Sequence, residues 1–92
     1  MNEVTAEKKA QPKQHVSVLY NGVSQTLPFR PRETVGELLA AAIRVFGIVE
    51  NQHLLSLFNA AGAELPDAET LHAAGVKKGD KLVLRPGVVK GG

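Results

Sequence analysis

One segment in the middle of the chain has the periodicity of a helix. Thr34 and Glu37 have the Thr-x-x-Glu spacing of a capping box, and Gly47 suits the left-handed position that ends a helix. Between these signals the apolar residues recur at intervals of three and four, as Val35, Leu38, Leu39, Ala42, Ile43 and Phe46. The pattern predicts a helix with one apolar face, which requires a second layer of structure to pack against.

The residues before this helix predict a β-hairpin. Residues 15–20 and 23–29 are rich in residues that favour strands, and Asn21-Gly22 lies between them. Asn-Gly is typical of a two-residue hairpin turn because both of its positions need a positive φ. Pro28 favours an edge position for the second strand, since proline cannot donate a hydrogen bond to a neighbouring strand.

The residues after the helix predict further strands. Residues 53–58 and 81–85 are short apolar runs, residues 63–65 predict a very short strand, and residues 69–75 predict one helical turn. The order fits an α+β fold, in which one helix packs on a mixed sheet of four or five strands. We expect the first and last strands to be parallel neighbours, joined by a long crossover.

The composition divides the chain into a body and two ends. Residues 1–14 are mostly polar and predict a disordered N-terminal arm. Residues 15–86 carry the strand and helix patterns and form the expected domain, whereas residues 87–92 predict a flexible tail that ends in Gly-Gly. Terminal glycines cannot contribute to packing, so either their presence is incidental or another protein binds the tail.

Several classes of chemistry are not expected from the side chains of this chain. The 92 residues contain no cysteine, which excludes disulfides, thiolate metal ligands and a cysteine nucleophile. His15, His53 and His72 lack metal-ligand spacing, and the acidic residues are explained by caps, turns and solubility. We therefore expect no enzymatic activity, no metal and no cofactor.

The charge and hydropathy also limit the expected partners. The net charge of +2 and the aromatic content of 4% do not favour nucleic-acid binding. No apolar run approaches the length of a membrane span, so a membrane partner is not expected either. We expect a monomer in the cytoplasm.

Short motifs through the body and at the end of the chain carry a family resemblance. They are Thr34-Val35, Gly47-Ile48, Leu65-x-Asp67, Thr70-Leu71, Gly75-Val76, Gly79-Asp80-Lys81-Leu82-Val83-Leu84 and Gly91-Gly92. In this order they resemble the ubiquitin family, the protein modifiers with a β-grasp fold. The resemblance covers nearly all of residues 15–92, and it implies a ubiquitin-like β-grasp domain.

The resemblance implies that the end of the chain is the reactive group. In the family the carboxylate of the last glycine, here Gly92, is adenylated by an ATP-dependent activating enzyme. It is then carried as a thioester by activating and conjugating enzymes and joined to lysines of target proteins, and an isopeptidase can trim precursors to the glycines. The cysteines belong to these partner enzymes. Gly91 and Gly92 have no Cβ and can enter a narrow channel.

The residues before the glycines differ from those of ubiquitin. Ubiquitin has two arginines among leucines there, whereas this chain has Arg85, Val88, Val89 and Lys90. We expect these four residues to be the ones that the activating enzyme recognises. The differences imply a dedicated activating enzyme rather than that of ubiquitin.

A second surface follows from aligning the chain with ubiquitin. The positions of ubiquitin's exposed isoleucine and valine are Ser56 and Arg85, so that recognition patch is not reproduced. Leu54 and Phe58 share the strand face of Ser56, and Val83 is expected to occupy a neighbouring exposed position. Leu54, Ser56, Phe58 and Val83 are therefore the predicted partner surface.

The lysines of the N-terminal arm have two interpretations. Lys8, Lys9 and Lys13 lie in the expected arm, and no lysine occurs between Gln14 and Val76. Small ubiquitin-like modifiers carry acceptor lysines in such arms, so these three residues are candidate acceptors for chain formation. The alternative is that they only keep the arm solvated.

Three functions remain open from the sequence. The first is a protein modifier, for which compact bacterial modifier operons, some serving antiviral defence, offer an analogy for source and pathway. The second is a sulfur carrier, which shares the fold and the Gly-Gly end but forms a C-terminal thiocarboxylate. The third is a non-conjugated β-grasp interaction domain.

Overall fold

The structure, a computed structural model, describes residues 14–87. These residues form four strands, one α-helix and a short 3-10 helix. In chain order the elements are β1 (Gln14–Tyr20), β2 (Val23–Phe29), α1 (Val35–Phe46), the 3-10 helix (Gln52–Leu54), β3 (Leu55–Phe58) and β4 (Lys81–Pro86).

The predicted hairpin is confirmed. Strands β1 and β2 pair antiparallel from Gln14 opposite Phe29 to Tyr20 opposite Val23. Asn21 and Gly22 have φ angles of 53° and 84°, which are the positive values that a type I′ turn requires. A glycine and an asparagine are needed here because other side chains are strained at positive φ.

The strands form one mixed sheet in the order β2-β1-β4-β3. Strand β4 pairs in parallel with β1 and antiparallel with β3, so the first and last strands are neighbours as the sequence predicts. Strand β2 lies at an edge, where Pro28 needs no hydrogen-bond partner for its nitrogen. The α+β architecture with four strands and one helix is confirmed.

Helix α1 begins and ends at the residues that the sequence indicated. The Thr34 hydroxyl accepts a hydrogen bond from the Glu37 amide at 3.1 Å, and the Glu37 carboxylate accepts one from the Thr34 amide at 2.8 Å. Gly47 ends the helix with a φ of 70°. These contacts satisfy amide groups that have no partner within the helix.

The start of α1 is joined to the segment before residue 72 through backbone contacts. The amides of Val35 and Gly36 donate to the carbonyls of Glu69 and Asp67 at 2.8 and 2.9 Å. A Cβ at position 36 would lie 3.3 Å from the Asp67 carbonyl oxygen, so glycine permits this close approach. The contacts hold residues 67–71 against the helix.

The core lies between α1 and one face of the sheet. It is built from aliphatic side chains with one phenylalanine, which agrees with the low aromatic content of the chain. Its buried members are Val16, Val18, Leu27, Phe29, Val35, Leu38, Leu39, Ala42, Leu55, Leu57, Leu65, Leu71, Val76, Leu82 and Leu84. In each strand they alternate with residues of the opposite face.

The predicted helical turn within residues 69–75 is present, since the Ala74 amide donates to the Thr70 carbonyl at 2.9 Å. Three other local expectations need correction. Residues 52–54 form a 3-10 helix, so β3 begins at Leu55 rather than at residue 53. The predicted short strand at 63–65 is a single bridge between Phe58 and Glu64. Gln14 is the first residue of β1, although the sequence assigned it to the arm. These segments are too short for periodicity to define them.

We predict that Thr34→Ala lowers the free energy of unfolding by about 1 kcal/mol, because the Glu37 amide loses its capping acceptor. Urea denaturation of both proteins measures the change. Thr34→Ser is the matched control, since serine retains the hydroxyl and most of the stability. An equal loss in both variants would show that the cap is not responsible.

Candidate functional site

The sheet face opposite α1 is the candidate functional surface. Side chains alternate along β4, so Leu82 and Leu84 enter the core while Val83 and Arg85 lie on the opposite, outer face. On β3 the same alternation places Ser56 and Phe58 on the outer face. Three of the predicted surface residues therefore share one face with Arg85, as the alignment indicated.

The outer face of β3 is covered rather than exposed. Ser56 and Phe58 have exposed fractions of 0% and 3%, so their side chains are not accessible on this face, and the role of the surface in binding a partner stays a prediction. Leu54 and Val83 are partly exposed. The covering groups come from residues that the sequence analysis did not place here, chiefly Glu64.

Glu64 reaches Ser56 because the chain folds back after β3. The Leu65 amide donates to the Leu57 carbonyl at 2.8 Å, and Glu64 forms a bridge opposite Phe58. The Ser56 hydroxyl then donates to the Glu64 carboxylate at 2.7 Å. Among residues 14–87, Ser56 is the only polar residue in the buried class, and this hydrogen bond offsets its desolvation.

Arg85 covers the other buried residue of the outer face. Its guanidinium carbon lies 3.8 Å from the ring centroid of Phe58. This is a cation–π contact, and it keeps the arginine charge in solvent while its side chain shields the ring. The outer face near the end of β4 is therefore charged and polar where ubiquitin has an apolar patch.

A small apolar strip remains further along the outer face. Val83 lies between Leu19 of β1 and Phe58 of β3 in the strand register. Leu19 is 41% exposed, which is high for a leucine in a strand, and a shallow depression beside it is also lined by Ala60. The alternation of β1 could have indicated Leu19, whereas Glu64 could not be located without the tertiary structure.

The base of the tail lies beside this surface. The Gly87 amide donates to the Leu54 carbonyl at 2.9 Å, which extends the pairing of β4 with β3 by one residue. A Cβ at position 87 would collide with the Glu64 carboxylate and the Ser56 hydroxyl. Only glycine fits this position without displacing the Ser56–Glu64 pair.

The remaining predicted functional residues lie outside the described residues. They are Val88, Val89, Lys90, Gly91 and Gly92 of the tail, and Lys8, Lys9 and Lys13 of the arm. Of the residues expected to contact an activating enzyme, Arg85 alone is described, and its recognition role stays a prediction.

Solved structures with similar folds include ubiquitin from Caldiarchaeum subterraneum. It is 27% identical to this chain over 88% of this chain and 100% of that chain, with a TM-score of 0.71. The ubiquitin-like domain of an Arabidopsis thaliana protein is 24% identical over 84% of this chain and 80% of that one, with a TM-score of 0.73. The chain has a ubiquitin-like β-grasp fold.

Other comparisons set the limits of this finding. ATBAG1, in a structure with HSP70, is 24% identical to this ubiquitin-like chain and has a TM-score of 0.70. The match covers 83% of this chain but only 41% of ATBAG1. No protein-family model and no curated protein matches the sequence.

Two other kinds of feature, a candidate metal site and a membrane-spanning helix, are absent from the described part of this ubiquitin-like chain. Within residues 14–87, no three His, Asp or Glu side chains are grouped so that they could hold a metal ion. The helices of that range lack the length and apolar character needed to cross a membrane.

We predict that Arg85→Ala lowers the free energy of unfolding by about 0.5 to 1 kcal/mol, since Phe58 loses its cation–π partner and its cover. Thermal and urea denaturation measure the loss. Arg32→Ala is the control because Arg32 is an exposed arginine away from this face. An equal change in the two variants would contradict a specific role for the stacked pair.

We also predict that Gly87→Ala lowers the free energy of unfolding by about 1 to 2 kcal/mol and speeds amide exchange at position 87. The added methyl group displaces Glu64 and weakens the pairing with Leu54. Removing the Glu64 side chain as well should relieve the part of the collision that involves Glu64, so the Glu64→Ala/Gly87→Ala variant should lose less than the sum of the two single changes. Strict additivity would rule out this contact as the cause.

Proposed function

We propose that this protein is a ubiquitin-like modifier that other enzymes attach to target proteins through the carboxylate of Gly92. The observation that carries the proposal is the combination of a ubiquitin-like fold with a Gly-Gly sequence that follows its last strand. The proposal requires Gly92 to be the last residue of the mature protein, either as synthesised or after trimming by an isopeptidase.

The position of β4 supports this role. It is an inner strand of the sheet, and its end at Pro86–Gly87 is fixed by the hydrogen bond to Leu54. The five residues that follow reach at most about 17 Å when extended. A rigid domain with a short linker can present a carboxylate at a defined distance from the surface that an enzyme binds.

The proposed conjugation uses the carboxylate of this protein, cysteines of the activating and conjugating enzymes, and a lysine of the target. In the first step the Gly92 carboxylate attacks the α-phosphate of ATP, which forms an acyl adenylate and releases pyrophosphate. A cysteine thiolate of the activating enzyme then displaces AMP, and a conjugating enzyme accepts the acyl group by thioester exchange. Finally a lysine amine of the target displaces the thiolate and forms an isopeptide bond. Together these steps divide one difficult acyl transfer into several easier ones.

The described surface gives this modifier its own specificity. Arg85 stacked on Phe58, together with the buried Ser56–Glu64 pair, replaces the apolar patch of ubiquitin. We propose that a dedicated activating enzyme binds Arg85 and the following residues 88–90, and that proteins built to bind ubiquitin's patch do not recognise this face. By analogy with bacterial modifier operons, we expect genes for the activating enzyme, conjugating enzyme and isopeptidase next to the gene for this protein. Some operons of this kind serve antiviral defence.

The decisive experiment removes the proposed reactive group. Tagged protein is expressed in the source cells with its neighbouring genes, and its adducts are identified by mass spectrometry. We expect lysine adducts with the full chain and complete loss of them after deletion of Gly92, because the Gly91 carboxylate that then ends the chain lies one residue closer to the domain and does not reach the adenylation site. The control replaces Lys8, Lys9 and Lys13 with arginine, which leaves the end intact and should preserve conjugation to targets.

Three other outcomes would overturn the proposal. Replacement of one carboxylate oxygen by sulfur, without lysine adducts, would identify a sulfur carrier. An unmodified chain in the presence of the enzymes of its own operon would identify a non-conjugated interaction domain. Adducts that persist without Gly92 would show that a different group reacts.

A further inference from the structure

A groove lies at the end of the domain where the chain leaves it. Its volume is about 490 Å³, and its apolar lining comes from Tyr20, Phe46, Ile48, Val49, Leu54 and Pro86. Val49 is 82% exposed, so the groove leaves an apolar side chain in solvent at its rim. Because these apolar side chains line one groove instead of lying scattered over the surface, they indicate a contact surface.

The walls of the groove are held in place by the end of α1 and by the loop after it. The ring centroids of Tyr20 and Phe46 lie 5.3 Å apart, which fixes one side. After Gly47 turns the chain, the Ile48 amide donates to the Ile43 carbonyl at 3.1 Å. The side-chain amide of Gln52 donates to the Ile48 carbonyl at 2.8 Å and holds the other side. The groove is therefore formed before anything binds.

The direction of the chain at Pro86 leads toward this groove. Leu84 faces the core and Pro86 lines the groove, whereas Arg85 and Gly87 belong to the outer face. Residues in extended backbone alternate between two sides. If the backbone stays extended after Gly87, residue 88 comes next on the side of the groove and residue 89 on the opposite side.

We propose that residues 88–90 of the same chain occupy this groove, with Val88 against Phe46 and Ile48. The segment has the matching chemistry, because Val88 is apolar like the groove lining and Lys90 is opposite in charge to Glu50 at the rim. Three extended residues span about 10 Å, which is enough to lie along the groove. Only Gly87 separates Pro86 from Val88.

The short connection favours the tail of the same chain over other occupants. A segment tethered by one residue has a high effective concentration at the groove. A second copy or a separate partner would compete with it only at a comparable concentration or with a higher affinity. Docking of this kind does not depend on conjugation. If the proposed function is also correct, an activating enzyme must displace residues 88–90 before it can bind them, so the groove lowers the reactivity of the free modifier.

NMR of the full-length protein tests the proposal. We expect nuclear Overhauser contacts from the Val88 methyl groups to the rings of Tyr20 and Phe46. We also expect the Ile48 and Leu54 methyl resonances to shift when the chain is truncated after Gly87. Val88→Asp should move these resonances to the same positions as the truncation, because the charged side chain leaves the groove.

Val89→Asp is the matched control, since it adds the same charge on the opposite side of the chain and should leave the Ile48 and Leu54 resonances unchanged. Unchanged Leu57 and Leu84 resonances in all variants confirm that the core is intact. The proposal is wrong if truncation moves neither Ile48 nor Leu54, or if Val89→Asp acts like Val88→Asp. Shifts that vary on dilution would assign the groove to a second copy, and shifts caused only by removal of residues 1–13 would assign it to the arm.

Because these measurements need no activating enzyme, their result is separate from that of the Gly92 deletion. A docked tail without lysine adducts would leave the groove proposal intact and the modifier proposal overturned. Lysine adducts with an undocked tail would give the reverse.

Discussion

The parallel pairing of β1 with β4 joins the beginning and the end of the domain. Ser17 lies opposite Lys81 and Leu19 opposite Val83, and the contact begins where the Gly79 amide donates to the His15 carbonyl at 2.7 Å. Parallel neighbours cannot be joined by a tight turn, so the chain must cross the sheet between them. Helix α1 makes that crossing and covers the sheet face that contains the core.

The same pairing decides what the two faces of the sheet present. One face is filled by α1, whereas the other is closed over β3 by the segment that carries Glu64 and by Arg85 of β4. Because this segment places a carboxylate beside Ser56 and leaves Arg85 over Phe58, the outer face is charged and polar near the end of β4. A domain with a ubiquitin-like fold thus carries a surface unlike that of ubiquitin.

Parallel strands also end on the same side of the sheet. The last residue of β1, Tyr20, therefore lies at the same end as Pro86 of β4, and α1 ends there as well. This arrangement brings the apolar groove next to the point where the tail begins. The proposed docking of residues 88–90 and the proposed conjugation through Gly92 both depend on this placement, since one segment follows directly from the other.

Much of the backbone could be predicted because its signals are local. The Asn21-Gly22 turn is determined by the positive φ that few residues tolerate, and α1 by the Thr34–Glu37 capping box with Gly47 at its end. These interactions occur within a few residues, so the sequence contains both partners of each contact. The Gly-Gly sequence suggests a modifier only by resemblance, and that role stays a proposal.

The outer face depended on contacts between distant residues. Alternation placed Ser56 and Phe58 on that face, but it could not show that Glu64 and Arg85 bury them, because burial depends on how separate segments pack. The need for glycine at position 87 arises from the same packing, and the groove exists only where the ends of β1, α1 and β4 meet the loop after α1 and the start of β3. The sequence by itself determined the turn, the helix and the β1–β2 hairpin, and it predicted β1 and β4 as parallel neighbours. The tertiary structure alone decided which outer side chains are accessible, since solvent exposure is a property of the packed chain and not of any one segment.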